Sequence, residues 1–252
     1  MAITKSLWRL VLTVAFGSAS LSLAVEGERS GLALREYRQA EIRCQSQPRE
    51  VDAAWRFARA CFDLAEFATN NVERAAIAEQ GIAASRKALE RDSNSVPAHY
   101  YLGMNLGQLA RTRGLGALKL VRQMERVFND ARRLDERFDY AGPDRNLGLL
   151  YRDAPALGSI GSRVKAHQHL DQAVLLAPDY PENRLNLLEG NLKWRDYTGA
   201  RCQLKALEDL WPAARAQFSG PAWASSWVNW EVRLQKARKK LEEPAQLESP
   251  RH

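Results

Sequence analysis

The chain has little with which to build a sheet. Valine, isoleucine and threonine are sparse, while alanine, leucine, arginine and glutamate dominate, a bias that favours helices. Cysteine is also scarce, with three copies, and an odd number excludes complete intramolecular pairing. If the segments flanking Pro48 form a helical hairpin, Cys44 sits near the turn and Cys61 well along the second helix. At 1.5 Å rise per residue the two lie roughly 15 Å apart, beyond the ~7 Å that a disulfide tolerates. Cys44, Cys61 and Cys202 are therefore expected as buried free thiols.

No long block of one charge is present. The formal net charge is +7, but arginine and lysine alternate with glutamate and aspartate, as in "EVDAAWRFARACFDLAEF". That pattern is a solvated face rather than a phosphate track, and it argues against a nucleic-acid partner. Catalytic motifs are missing as well. "GSIGS" is not the Gly-x-Ser-x-Gly elbow, and it lacks the Gly-Lys-Ser/Thr ending of a phosphate loop. His167 and His169 are two apart on a helix and diverge, so they read as surface histidines and no metal ligand set is expected. Asp139 and Asp144, in "DYAGPD", read as helix-capping residues near a turn. No catalytic residue, cofactor or enzymatic activity is expected.

The longest apolar run starts at Leu10 and spans about fifteen residues, short of the ~20 that cross a bilayer. It follows Lys5 and Arg9 and ends in Ser22-Leu23-Ala24, the tripartite pattern of a secretory signal cleaved after Ala24. An uncleaved anchor is the alternative. The expected compartment is the periplasm, and no cysteine follows the small residues to accept a lipid.

What the chain does have is repetition. Three helix openings, "HYYLGMNLGQLA", "DRNLGLLYRDA" and "RLNLLEGNLKW", each precede a second helix ending in "ARRLDERF", "AVLLAPDY" or "LEDLWP". A diverged earlier copy opens with "AWRFARACFDLA". Small residues at Gly103, Gly148, Ala88, Ala131 and Ala173 allow close helix pairing. The interval from Ala173 to Leu207 is 34 residues, the tetratricopeptide period, while the two preceding intervals are 43 and 42. The surplus is assigned to the inner turns "RTRGLGALKLV" and "RDAPALGSIGS", with a further lengthened turn near "TNNVER". The expected fold is an all-α, tetratricopeptide-like helical-hairpin solenoid with lengthened inner turns and a C-terminal capping helix. Trp223, Trp227 and Trp230 share one face of that cap.

The domains follow: a signal at 1–24, one helical repeat domain at 25–242 and a disordered tail at 243–252. Repeats fall at about 50–95, 96–139, 140–180 and 181–212, and the cap at 213–242. Equivalent turns stack on one edge of a solenoid, and insertions there mark a binding side. The expected ligand site is a mouth of aromatic, polar and basic groups suited to an amphipathic anion. Its candidates are Tyr101, Asn105, Gln108, Arg113, Arg122, Tyr151, Ser159 and Ser162, with Arg111 and Lys119 beside them; a solvated basic loop is the alternative.

The run from "YYLGMNLGQLAR" through "GPDRNLGLLYRDAP", "SIGS" and "LAPDYPENRL" resembles the TatT-like T-component family of tripartite ATP-independent periplasmic (TRAP) transporters. The likeness spans roughly Ala53 to Leu210, although the lipid-accepting cysteine is missing and the first repeat is diverged. The resemblance implies a periplasmic helical protein that self-associates into a homotrimer and pairs with a TRAP solute-binding protein. It also implies a hydrophobic-ligand cavity or passage, and with the basic mouth the expected ligand is small and hydrophobic or an organic acid. The function expected is an accessory subunit of such an uptake system; the alternative is a secreted scaffold for protein contacts in the cell envelope.

Overall fold

The computed structural model describes the backbone of residues 7–114 and 116–242 and the side chains of residues 27–114 and 116–242. The expected disordered tail at 243–252 lies outside the described residues. Among these, every regular element is a helix: α1 (Leu7–Ser46), α2 (Val51–Ala65), α3 (Asn71–Leu89), α4 (Val96–Ala110), α5 (Ala117–Leu134), α6 (Phe138–Asp153), α7 (Arg163–Leu176), α8 (Pro181–Lys193), α9 (Tyr197–Gln217) and α10 (Pro221–Glu242). Four hairpins, α2–α3, α4–α5, α6–α7 and α8–α9, stack in chain order, with α1 against α2 and α10 against α8 and α9. The chain is an all-helical, tetratricopeptide-type solenoid.

Local chemistry sets the boundaries. Asn70 caps α3 by accepting from the Glu73 N–H, and the Glu73 carboxylate returns to the Thr69 N–H and hydroxyl. Pro97 and Pro181 lie in the first turns of α4 and α8, where a missing N–H costs nothing. Asp196 and Ser162 cap α9 and α7.

The pairing residues do what their size allows. Ala88, Ala131 and Ala173 are fully buried. A Cβ on Gly103 would stand 2.5 Å from the Phe128 ring, and one on Gly148 would stand 2.7 Å from Leu170. One apolar core, built on Phe57, Tyr100, Phe128 and Leu147, runs through the first three hairpins. A second joins α8, α9 and α10 through Leu188, Leu207, Trp227 and Trp230. Trp227 and Trp230 are buried, Trp223 lies partly exposed beside them, and the Trp227 Nε1–H donates to the Phe218 carbonyl at 2.6 Å. The tryptophan face thus closes the end of the stack.

Three details differ from expectation. The segment "RTRGLGALKLV" is mostly not a turn: the connection ends at Gly116 and the remainder opens α5. An uninterrupted apolar and basic sequence with good helix formers propagates the helix rather than looping. The first copy behaves alike, spending its surplus on a long α3, so among the described residues the longest inner connection is 154–162. At the other end α9 continues through Pro212 to Gln217, so residues 213–217 belong to α9 rather than to the cap. All three cysteines are free, and Cys61 is buried, with burial pushing its thiol pKa up; Cys44 is half-buried and Cys202 is exposed, on the outer side of α9. An i+4 neighbour of solvent-facing residues cannot also face the core.

Candidate interaction site

The first helices of the hairpins, α2, α4, α6 and α8, lie side by side and form the inner face of the solenoid. Its two halves differ. Toward the C-terminus it is closed by reciprocal ion pairs. Arg152 of α6 meets Asp153 at 2.8 Å and Glu189 of α8 at 3.7 Å, and Lys193 donates to the Arg152 carbonyl. Arg233 of α10 reaches Glu189 at 2.7 Å and also contacts Asn186 and Glu182. Arg152, Asp153, Glu182, Glu189, Lys193 and Arg233 thus all find a partner within the protein.

Toward the N-terminus the face is open. A groove of about 600 Å³ runs between α1 and α2. Its floor is alanine, Ala40, Ala53 and Ala60, because helical spacing of small residues leaves room between the two walls. One wall is Glu36, Gln39 and Arg43 of α1; the other is Arg56, Arg59 and Asp63 of α2. Arg59 and Asp63 stand 3.6 Å apart, and Arg56 leans over the Trp55 ring at 4.6 Å while pairing with Asp52 at 2.7 Å. Trp55 in turn stacks on Tyr101 of α4, with ring centroids 6.0 Å apart.

Asp63 is recessed in this concavity. Its side chain keeps 38 % of its surface, yet desolvation, with Glu36, Asp139 and Glu66 nearby, outweighs Arg59 and pushes its pKa from 3.8 to about 6. The folded state therefore holds this proton more tightly than the unfolded chain. The stability contributed is complete below about pH 4 and is lost as pH rises through about 6. We expect Asp63→Asn to melt with the wild type at pH 4 and above it at pH 7.5. Thermal melts across that range check this; a difference that does not change with pH would contradict it.

Behind the open half lies an unusual turn. Asp139, Tyr140 and Ala141 all have positive φ, 51°, 56° and 61°, and none is glycine. Left-handed L-residues cost about 1–2 kcal/mol each, so the turn persists only because its surroundings hold it. The holder is Arg145, which is buried. Its guanidinium donates to the Asp139 and Tyr140 carbonyls at 3.0 and 3.1 Å and to the Asp139 carboxylate at 2.7 Å. Asn183 donates to the Tyr140 carbonyl from α8, and Tyr100 donates to Asp139 at 2.6 Å. The regular helix of α6 resumes after the turn, with Pro143 at its start. Tyr140, thrown outward, stacks on Tyr180 at 4.5 Å and contacts Phe218 and Trp223, joining the two cores.

The residues expected to form a ligand mouth are not gathered together, and none lines the α1–α2 groove. Tyr101 is buried beneath Trp55. Asn105 is fully buried and donates to the Ala58 and Tyr101 carbonyls, against Gly81 of α3. Gln108 is buried and bonded to Glu66, and Tyr151 is buried with its hydroxyl on Glu125 at 2.6 Å. These four hold repeat to repeat. Arg113 is exposed and paired with Glu79, Arg111 with Glu66, and Arg122 and Lys119 face solvent. Ser159 lies in the 154–162 loop and Ser162 caps α7. Tyr101, Asn105 and Gln108 were misplaced because α4 packs against α2, α3 and α5, and Tyr151 because α6 packs against α5 and α7, which one helix face cannot reveal.

Two further expectations are corrected. Asp139 and Asp144 cap nothing. Asp144 is a fully buried carboxylate held by the Arg132 Nε–H at 2.9 Å and His169 Nδ1 at 2.6 Å. His169 is accordingly no surface residue, and it stacks on Tyr151, whereas His167 meets Asp171 and Trp194. The Arg–Asp–His link joins α5, α6 and α7 across sequence distances that no local pattern betrays.

Comparisons with known proteins bear on the architecture through one solved structure. The family model described as regulator of microtubule dynamics protein 1-3 matches residues 26–136, less than half of the chain. No curated protein sequence matches. Among solved structures, a thermophilic tetratricopeptide-repeat protein of Thermus thermophilus superposes with a TM-score of 0.59 at 22% identity, covering 85% of this chain and 99% of that one. YrrB, a tetratricopeptide protein described as having an unusual peptide-binding site, covers 81% of this chain and 90% of its own at 16% identity and a TM-score of 0.46. The Thermus likeness shows the fold: this chain is built as tetratricopeptide-repeat proteins are.

Proposed function

We propose that the chain is a non-catalytic interaction scaffold whose inner face receives a segment of a partner protein in the α1–α2 groove. One observation carries this reading: the inner face is sealed by reciprocal ion pairs in its C-terminal half and left open, charged and alanine-floored in its N-terminal half. Such a groove suits polypeptide, whose side chains can meet Arg56 and Arg59 on one wall and Glu36 on the other. A small hydrophobic or organic-acid ligand is less well served, because the walls are charged and open to water.

The partner we assign is a TRAP solute-binding protein, met in the periplasm after export and cleavage behind Ala24, with this chain as its accessory subunit. The sequence resemblance supports that partner, and it extends to a homotrimer. A second reading comes from the match at residues 26–136, which contains the α1–α2 groove and names regulators of microtubule dynamics. In this reading we take the same surface to meet a microtubule-associated partner instead.

Calorimetric titration separates them. The wild type should bind the TRAP solute-binding protein of its own cell, and Arg56→Glu/Arg59→Glu should weaken binding by about tenfold or more, since rim and groove charges contribute ~1 kcal/mol or more each. Co-sedimentation with microtubules and no heat with the solute-binding protein would favour the second reading. No binding to either would leave the envelope scaffold as the account.

A further inference from the structure

The edge formed by the inner turns has a chemistry of its own. Residues 111–122 carry Arg111, Arg113, Lys119 and Arg122 and no acidic residue, and residues 154–166 carry Arg163 and Lys165 and no acidic residue. Lys119 and Arg122 make no ion pair with a described residue. Apolar side chains stand among these cations. Leu157 is 96 % exposed, the most exposed large hydrophobic among the described residues, and Val164 and Leu118 are exposed with it.

The two segments are neighbours in space. Lys165, in the first turn of α7, meets Glu125, which lies in the third turn of α5. Eight residues of α5 precede Glu125 and two of α7 precede Lys165, so the start of α5 projects about six residues, roughly 9 Å, past the start of α7, on the side where the 154–162 loop enters α7. Backbone contacts fix that loop: the Gly161 N–H donates to the Pro155 carbonyl and the Ser162 N–H to the Tyr151 carbonyl. A Cβ at Gly161 would fall 2.1 Å from the Ala154 carbonyl oxygen, so the loop closes on itself and holds Leu157 at its tip.

The same edge is where α1 leaves the body. Arg43 near its end pairs with Asp52 at the start of α2, while Arg29 lies over Phe67, just beyond the end of α2. The helix continues from there to Leu7, roughly 30 Å farther, and the sequence of that part contains the apolar run from Leu10. Among the described residues no helix is long and apolar enough to cross a membrane.

We infer that this edge docks on the surface of an anionic lipid bilayer, with Leu157, Val164 and Leu118 entering the headgroup region and Lys119 and Arg122 meeting lipid phosphates. Apolar tips ringed by unpaired cations are the signature of interfacial binding, each cation near an anionic surface adding to the attraction. The exit of α1 on the same side points the N-terminal end of the chain, cleaved behind Ala24 or not, toward the same bilayer. The open inner-face groove is left free for a protein partner. This inference uses a different surface from the proposed partner site, so either can fail alone.

Vesicle co-sedimentation of the chain from Val25 onward, the cleaved form, tests it, with vesicles of phosphatidylglycerol and phosphatidylethanolamine against vesicles of phosphatidylcholine. The wild type should partition onto the anionic vesicles, lose that binding at high salt, and keep it when inorganic phosphate is added at constant ionic strength. Lys119→Gln/Arg122→Gln should weaken partitioning by about 30-fold, two cations' worth, and Leu157→Ser by about tenfold or more. Both changes are at exposed positions, so the melting temperature should hold. Equal partitioning onto neutral vesicles, displacement by phosphate, or variants that partition like the wild type would overturn the inference. In the last case α1 alone would be the membrane element. Hydrogen exchange gives an independent readout: residues 111–122 and 155–164 should be protected by anionic vesicles, and unprotected loops in the bound protein would refute edge-on docking.

Discussion

Replacing Gly103 by leucine should lower the melting temperature by roughly 6–12 °C, which corresponds to about 3 kcal/mol for a domain of this size. The position faces the Phe128 ring so closely that even a methyl would stand 2.5–3.0 Å from three ring atoms. Phe128 cannot swing away, because it is 1 % exposed and its ring is met edge-on by Tyr100. A leucine must therefore push α4 and α5 apart along their buried seam. Gly148→Leu should act alike against Leu170, where the backbone N lies 3.1 Å from the added Cβ and leaves less room to relax. Gly114 is the control, since nothing lies within 4 Å of its Cβ position, and Gly114→Leu should stay within about 0.5 kcal/mol of wild type. Melts of all three variants check the seam; equal melting temperatures would mean the hairpins do not pair as described.

Arg145→Met should cost about 3 kcal/mol and open the chain at residues 138–142. The guanidinium makes five contacts at 2.7–3.3 Å, to the Asp139 carbonyl and carboxylate, the Tyr140 carbonyl, the Tyr100 hydroxyl and Asn183. Its loss strands Asp139 with Tyr100 and releases three left-handed residues that cost about 1–2 kcal/mol each to hold. The estimate sits at the lower end for a broken buried pair, because the Asp139 side chain keeps 35 % of its surface in contact with water. Arg145→Lys separates charge from shape. A lysine keeps the charge but cannot span the fork, so more than half of the loss should remain. Denaturant melts give the magnitude, and amide exchange at 138–142 gives the location. Wild-type exchange there in Arg145→Met would show that the turn needs no clamp.

Helix pairing was legible in the sequence because it is local. Gly103, Gly148, Ala131 and Ala173 mark helix contacts by size alone, and the tryptophan spacing of α10 announces one buried face. What escaped was everything that depends on two distant segments. The left-handed turn at Asp139–Ala141 has no glycine to signal it, and it exists because Arg145 and Asn183 arrive from elsewhere. Asp144 looked like a cap until Arg132 and His169, on neighbouring helices, turned it into a buried ion network. Tyr101, Asn105 and Gln108 looked like a ligand face because helical spacing gives a residue's direction and not what covers it. The groove was invisible for the opposite reason: Ala40, Ala53 and Ala60 are ordinary in any helix, and only the antiparallel pairing of α1 with α2 makes a floor of them. The extra repeat length was seen, but its division between loop and helix follows from helix propagation at Ala117 and not from the period.

The central claim is that the α1–α2 groove is the partner site, and site-specific photo-crosslinking in the native cell tests it most directly. A photoreactive residue at Gln39, on the groove wall, should crosslink to a TRAP solute-binding protein, identified by mass spectrometry. The same probe at Leu175, exposed on α7 away from the groove, should not. Loss of the Gln39 crosslink in Arg56→Glu/Arg59→Glu would complete the expected result. Crosslinking of that protein at Leu175 with none at Gln39 would contradict the account.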